Sequence, residues 1–210
     1  NFYYRKMEFL MKNKQADLLK SISNETLILN VWLTQVIVVF ASLILGIMLF
    51  DDWASFLRLF QFADWRILTI GVTAGFAIVL LDFVLMKVLP ESFYDDGGIN
   101  LRIFQSIAIP HIIILSFAVA MCEELLFRGV IQTNTNIWIA SLVFAFVHYR
   151  YLFNLFLFCN VTLLSFFIGF LYDQTGNLVV TITVHFMIDC LLGIYMNTYR
   201  KQRKIESQKE

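Results

Sequence analysis

An all-α, polytopic transmembrane bundle is the fold this sequence predicts, on three observations. Its 210 residues are 59% hydrophobic and only 15% charged, the reverse of the bias of a soluble domain. The apolar residues fall in runs long enough to cross a hydrocarbon core of about 30 Å. Proline is confined to two positions, Pro90 and Pro110, so helices are rarely interrupted.

The first span is Leu27 to Phe50, 24 residues without a charge, which as a helix reaches roughly 36 Å at about 1.5 Å per residue. Asp51 to Arg66 mixes Trp53, Phe56, Leu57, Phe60, Phe62 and Trp65 with Asp52, Arg58, Asp64 and Arg66. That pattern predicts an amphipathic helix in the membrane interface, not a crossing. Ile67 to Leu89 is a second span carrying Asp82, and Lys87 near its end can snorkel. Pro90 and Tyr94-Asp95-Asp96-Gly97-Gly98 then supply breaker and turn residues.

A third span is expected from about Ile103 to Arg128, kinked near Pro110, with its polar load at the far end. After the polar turn Gln132 to Asn136 come apolar stretches at about Ile137 to Val147, Leu152 to Tyr172 and Leu178 to Tyr195. The first of these is short for a crossing, about 17 Å, and fits a tilted or broken element shielded by its neighbours. The expected bundle therefore has about six membrane elements plus the interfacial helix.

Charge places the ends. Arg5, Lys6, Lys12, Lys14 and Lys20 precede the first span, and Arg200, Lys201, Arg203, Lys204 and Lys209 follow the last, although the formal net charge is zero. The positive-inside rule puts both tails in the cytoplasm. The layout is a basic N-terminal segment (1–26), one transmembrane domain (27–199, its motifs within 103–197) and a basic tail (200–210). The first run is of full span length with no small-residue cleavage site after it, so it is expected to act as its own targeting signal. The tails are short and mixed with acids, which argues against nucleic-acid binding and for anionic headgroups. Cys122, Cys159 and Cys190 match no metal or disulfide spacing and read as small apolar residues.

Polar residues inside the spans carry the functional signal, because an intramembrane carboxylate is expensive. Glu124 stands four residues before Arg128, on one helix face and in the favoured order for an ion pair. Glu123 projects about 100° away, which leaves it freer to handle protons or hold a metal. His185 and Asp189 are one turn apart, so they can converge as metal ligands or as proton-handling partners. His148 repeats the pattern on a third element, with Phe144 one turn behind it as packing. Three such clusters can meet in a bundle core. His111 lies about 18 Å along the helix from Glu123 and reads as a locally bonded histidine. A glycine-rich phosphate loop, a dinucleotide fingerprint and an HExxH motif are all missing from the sequence, which disfavours nucleotide-driven transport.

In this order, E-E-L-L-F-R (Glu123–Arg128), F-A-F-V-H (Phe144–His148) and H-F-M-I-D (His185–Asp189) resemble the three motifs of the CPBP intramembrane proteases. That group comprises CAAX proteases and bacteriocin-processing proteins. Phe167 to Leu178 is also similar to the family's lead-in to its last motif. The resemblance covers about Met121 to Asp189, and the residues before it contribute only membrane character.

The resemblance implies an all-α core in which Glu123 activates water with help from His148. Glu124 and Arg128 would support that pair, and His185 and Asp189 would stabilise an oxyanion or complete a metal site. A divalent metal, zinc first, would draw on Glu124, His148, His185 and Asp189. The eukaryotic enzymes typically have Asn where Asp189 stands, and an ionised Asp cannot donate to an oxyanion. Asp189 therefore favours a metal-ligand role or a protonated state. The implied activity is endopeptidase cleavage of a membrane-associated peptide or lipidated protein in a bacterial cell membrane. A non-catalytic immunity or scaffold protein, or an ion- or proton-coupled carrier, would use similar residues.

Overall fold

The structure is a computed structural model, described here over residues 22–206, with side chains excepted at position 153 and from 199 on. The basic clusters of the N-terminal segment and Lys209 lie outside the described residues. Helix α1 (Asn24–Leu49) begins at Ser23, whose hydroxyl accepts from the Thr26 amide, and ends where Phe50 turns extended before Asp51. Helix α2 (Trp53–Leu57) is capped by Asp52. It is shorter than the interfacial helix expected, and the chain from Arg58 to Arg66 is a folded turn. Helix α3 (Ile67–Val88) opens with one wide, π-type turn.

The third apolar segment departs from expectation. It divides into α4 (Ile99–Ser106) and α5 (Ile109–Gln132), separated by extended Ile107 and Ala108. Pro110 sits in the first turn of α5 and does not kink a longer helix. The reason is local: a proline lacks the N–H that a first turn leaves unbonded anyway. Asn197 stabilises the break, donating to the carbonyls of Phe104 (2.6 Å) and Ile107 (2.9 Å). The polar load is also not terminal, since α5 continues past Arg128 through a π-type segment, Leu125–Gln132.

Helix α6 (Ile137–Val147) matches its expected bounds, capped by Asn136 and followed by a 3-10 turn at Tyr149–Phe153. Helix α7 (Leu155–Thr175) ends at Gly176, whose φ of 57° is left-handed and suits glycine. Helix α8 (Leu178–Glu206) follows at once. Among the described residues, five helices, α1, α3, α5, α7 and the Leu178–Thr198 part of α8, are long and apolar enough to cross a membrane. With α6 they make the six expected elements.

Burial identifies the centre of the bundle. Half of the span in α8 and 39% of that in α5 is buried, against 17% in α1 and α3. Large apolar residues such as Ile37, Ile47, Leu68 and Leu163 face outward, each more than half exposed, as lipid contact requires. Small residues bring α3 onto α8: a Cβ at Gly75 would lie 2.6 Å from Met187 Cβ and 3.0 Å from the Val184 carbonyl. The start of α8 is fixed by Asn177, which is fully buried. Its Oδ1 accepts from Gln61 and Val179, and its Nδ2 donates to Gln61 O and Asp64 Oδ2. Leu178 N donates to Leu59 O at 2.8 Å. The 58–66 turn is therefore a clasp on the helix that carries His185 and Asp189.

Candidate active site

Glu124 and Arg128 face inward from α5 and are 0% and 1% exposed. From Leu126 to Val130 every residue is buried, a run made by the wide π-type turn and by neighbours on several sides. Arg128 Nη1 donates to Glu124 Oε1 at 3.0 Å. Its Nη2 donates to Ser165 O (2.8 Å) and Ser165 Oγ (3.0 Å) on α7, and the guanidinium lies 5.0 Å over the Phe144 ring. A buried charged pair needs such added hydrogen bonds to offset its desolvation; Glu124 Oε2 and Arg128 Nε are buried without a partner among the described residues.

His185 reaches the same carboxylate from α8. Its Nδ1 lies 2.9 Å from Glu124 Oε1, and since an ionised carboxylate only accepts, Nδ1 carries the hydrogen. The ring is thereby oriented, a buried acid behind it and Nε2 pointing the other way. Nε2 is 3.5 Å from Asp189 Oδ2 and 4.0 Å from Glu123 Oε2. The Glu123 side chain is 12% exposed and that of Asp189 32%. One glutamate is thus locked and the other stands at an opening, bound to no donor among the described residues.

Five of the six residues expected from sequence, Glu123, Glu124, Arg128, His185 and Asp189, are linked by these contacts. His148 arrives indirectly. Its Nδ1 is 2.9 Å from the Phe144 carbonyl, one turn back, and its ring stacks on Phe144 at 4.4 Å. Phe144 meets His185 edge-on at 6.4 Å. No hydrogen bond or ion pair joins His148 to the carboxylates among the described residues. Phe144, read from sequence as packing, is the hub between His148, His185 and Arg128.

The proposed ligand set of Glu124, His148, His185 and Asp189 does not fit a metal as placed. Glu124 Oε1 is engaged by Arg128 and His185 while its Oε2 is buried without a partner, and no group of three or more His, Cys, Asp or Glu among the described residues is arranged to hold an ion. Asp82 lies apart, facing the Asn160 amide on α7. His111 accepts from Trp32 Nε1 at 3.4 Å, the local partner expected of it. Ser165 and Asn177 were missed in the sequence. A hydroxyl amid apolar residues and an Asn between Gly176 and a helix start were their only signals.

Long apolar helices around a buried, paired charge cluster define a polytopic helical membrane protein with a polar site between its spans. A family model for type II CAAX prenyl endopeptidase Rce1-like proteins matches residues 105–191, which contain all six residues. The chain is also 45% identical over 161 residues to the uncharacterized protein YpbD of Bacillus subtilis (strain 168), covering 77% of this chain and 85% of that relative. No solved structure matches it. The chain belongs to the Rce1-like, type II CAAX prenyl endopeptidase family within the CPBP group, a family of membrane-embedded proteases.

Proposed function

We propose that this protein is an intramembrane endopeptidase that cleaves a membrane-associated peptide or a lipidated protein by direct attack of water. The observation that carries the proposal is the split environment of the two adjacent glutamates. Glu124 is neutralised by Arg128 and orients His185, whereas Glu123 is unbonded, partly exposed and 4.0 Å from His185 Nε2. That gap is too long for a direct hydrogen bond and suits a water touching both groups. Glu123 takes a proton from the water as its oxygen attacks the peptide carbonyl carbon, then passes that proton to the departing amine. His185, held from behind by Nδ1–H on Glu124, acts in its doubly protonated form and donates Nε2–H to the oxygen on which negative charge develops. His148, with Nδ1–H on the Phe144 carbonyl, keeps Nε2 for the same water or the leaving group.

No step is routed through a metal, and zinc analysis of the purified protein, with and without a chelator, tests that expectation directly. The proposed setting is a bacterial cell membrane with both termini cytoplasmic, supported by the basic residues at the two ends. The proposed layout keeps 27–199 as a single catalytic domain between basic ends at 1–26 and 200–210.

The test is cleavage of fluorogenic lipidated peptides by the full chain in mixed micelles. Glu123→Gln and His148→Ala are each expected to lower kcat by about 10²–10⁴-fold, the range of general acid–base contributions, with thermal stability kept. Unchanged cleavage in both variants would refute the enzyme mechanism. Biological activity that persists in both without any proteolysis would support a scaffold role, and proton-linked uptake in vesicles a carrier.

A further inference from the structure

An aromatic column leads outward from the buried charge pair. Arg128 lies over Phe144, Phe144 stacks on His148, and His148 is parallel to Tyr151 at 6.1 Å and 8°. At the outer end the Arg150 guanidinium sits 4.5 Å over the Tyr151 ring. Arg150 is also within Coulombic reach of Asp189. We propose that Arg150 is a specificity-determining residue that binds a carboxylate of the substrate beside the reaction centre, a role that rests on the proteolytic function proposed for this site.

Three features of the guanidinium support the assignment. First, it is held in place: Nη2 donates to Asn100 Oδ1 at 2.9 Å and to the Tyr151 hydroxyl, and stacking fixes its plane. Second, its donors are not used up. Nη1 and Nε have no partner among the described residues, the side chain is 32% exposed, and the nearest acid, Asp96, stands 3.9 Å off, with its Oδ2 accepting from the Asn100 amide. Third, the segment does not depend on Arg150 for anchorage, because Asn154 Nδ2 donates to Ser92 O and Asp95 O at 3.1 Å each. A partly screened guanidinium suits a monoanion better than a phosphate dianion. The setting also calls for it: Glu123 and Asp189 would repel an acidic substrate unless a cation met it. A chain-terminal carboxylate and an Asp or Glu side chain offer the same chemistry.

The experiment uses the full chain in mixed micelles and three lipidated fluorogenic peptides that differ only at the end. One has a free C-terminal carboxylate, one a C-terminal amide, and one an amide with Glu as its last residue. KM for the free acid, for the Glu-ended amide, or for both is expected to be about tenfold below that of the plain amide, as one charge-assisted bidentate contact provides. Which peptide gains identifies the source of the carboxylate. Arg150→Gln should bring the acid-to-amide ratio of KM close to one, and Arg150→Lys should recover part of it. A wild-type KM equal to that of the plain amide for both acidic peptides, or a preference in Arg150→Gln equal to that of wild type, overturns the proposal.

Binding of the same peptides to Glu123→Gln, read by anisotropy, separates the two proposals. Preference for the acid with no wild-type cleavage sinks proteolysis and leaves carboxylate recognition standing. Cleavage without preference does the reverse, and absence of binding by all three peptides overturns the carboxylate site.

Discussion

Replacing Arg128 with methionine removes the guanidinium from a site where the side chain is 1% exposed and its partner Glu124 is 0% exposed. Three hydrogen bonds disappear, one to Glu124 Oε1 and two to Ser165, and the Glu124 carboxylate is left with His185 alone. Breaking a buried ion pair from one side costs about 3–5 kcal/mol. Methionine's apolar contact with Phe144 returns roughly 1 kcal/mol of this, which leaves a net loss of about 3 kcal/mol. Glu124→Gln is expected to cost a similar amount, since it strands the guanidinium. The double variant removes both charges together, so its cost should fall short of the sum by about 2 kcal/mol or more. The assay is unfolding of the four proteins in mixed micelles, followed by tryptophan fluorescence. An exposed boundary ion pair would be worth about 1 kcal/mol or less and would weaken with salt. A cost below about 1 kcal/mol for Arg128→Met, or additivity within about 0.5 kcal/mol, would refute the view of this pair as a buried keystone.

The two glutamates should separate by phenotype: Glu123→Gln loses turnover and keeps its melting temperature, whereas Glu124→Gln loses both, checked by parallel cleavage and thermal melts. Gly75→Ala places a methyl 2.6 Å from Met187 Cβ and 3.0 Å from the Val184 carbonyl. The backbone cannot yield as a flexible side chain would, so the cost should be about 1–3 kcal/mol, with reduced cleavage because α8 carries His185; an unchanged melt counts against the packing described. In the 58–66 clasp, hydrogen bonds from Arg66 and then Asn177 hold the Asp64 carboxyl down at about 2, from an ordinary 3.8. A carboxyl with a depressed folded-state value stabilises fully above its unfolded value and loses that contribution as pH falls through the folded one. Asp64→Ala should therefore melt below wild type at pH 7, with the difference closing between about pH 4 and pH 2; a gap that is constant with pH would refute the clasp's ionic character.

Helix ends that coincide with strong local chemistry were legible in the sequence. Asn136 caps α6 at its expected start and the charge at Asp51 closes α1, whereas α7 runs three residues past the expected Tyr172, to Thr175 before a left-handed Gly176. The merged α4 and α5 were not legible, because the break at Ile107 and Ala108 lies inside apolar sequence. It is stabilised from 90 residues away, by Asn197. The π-type turn after Glu124 left no trace in composition either; its Leu126 and Phe127 pack with Phe144 in one buried cluster. The pairing of Glu124 with Arg128 followed from helical spacing alone. The second partner of that arginine, the Ser165 backbone carbonyl, could not follow from side-chain chemistry at all.

The contrast between Glu123 and Glu124 follows from the fold and needs no difference in residue type. Neighbours on a helix point about 100° apart, so when the α5 face bearing Arg128 is buried against α7 and α8, Glu124 is carried inward. Glu123 turns toward the side where Asp189 is a third exposed. Inside, a carboxylate is stable only when its charge is paired, and Arg128 meets Glu124 at Oε1 while Ser165 and Phe144 hold the arginine. A paired Glu124 can still accept a hydrogen bond, and His185 Nδ1 makes it, which fixes the direction of Nε2. The imidazole thus faces Glu123 because the neighbouring glutamate is immobilised. The Asn177 clasp holds the start of α8, the helix from which His185 Nε2 stands 4.0 Å from the free carboxylate. On the proposed mechanism stability and chemistry share one set of contacts, the buried acid serving the first and its neighbour the second.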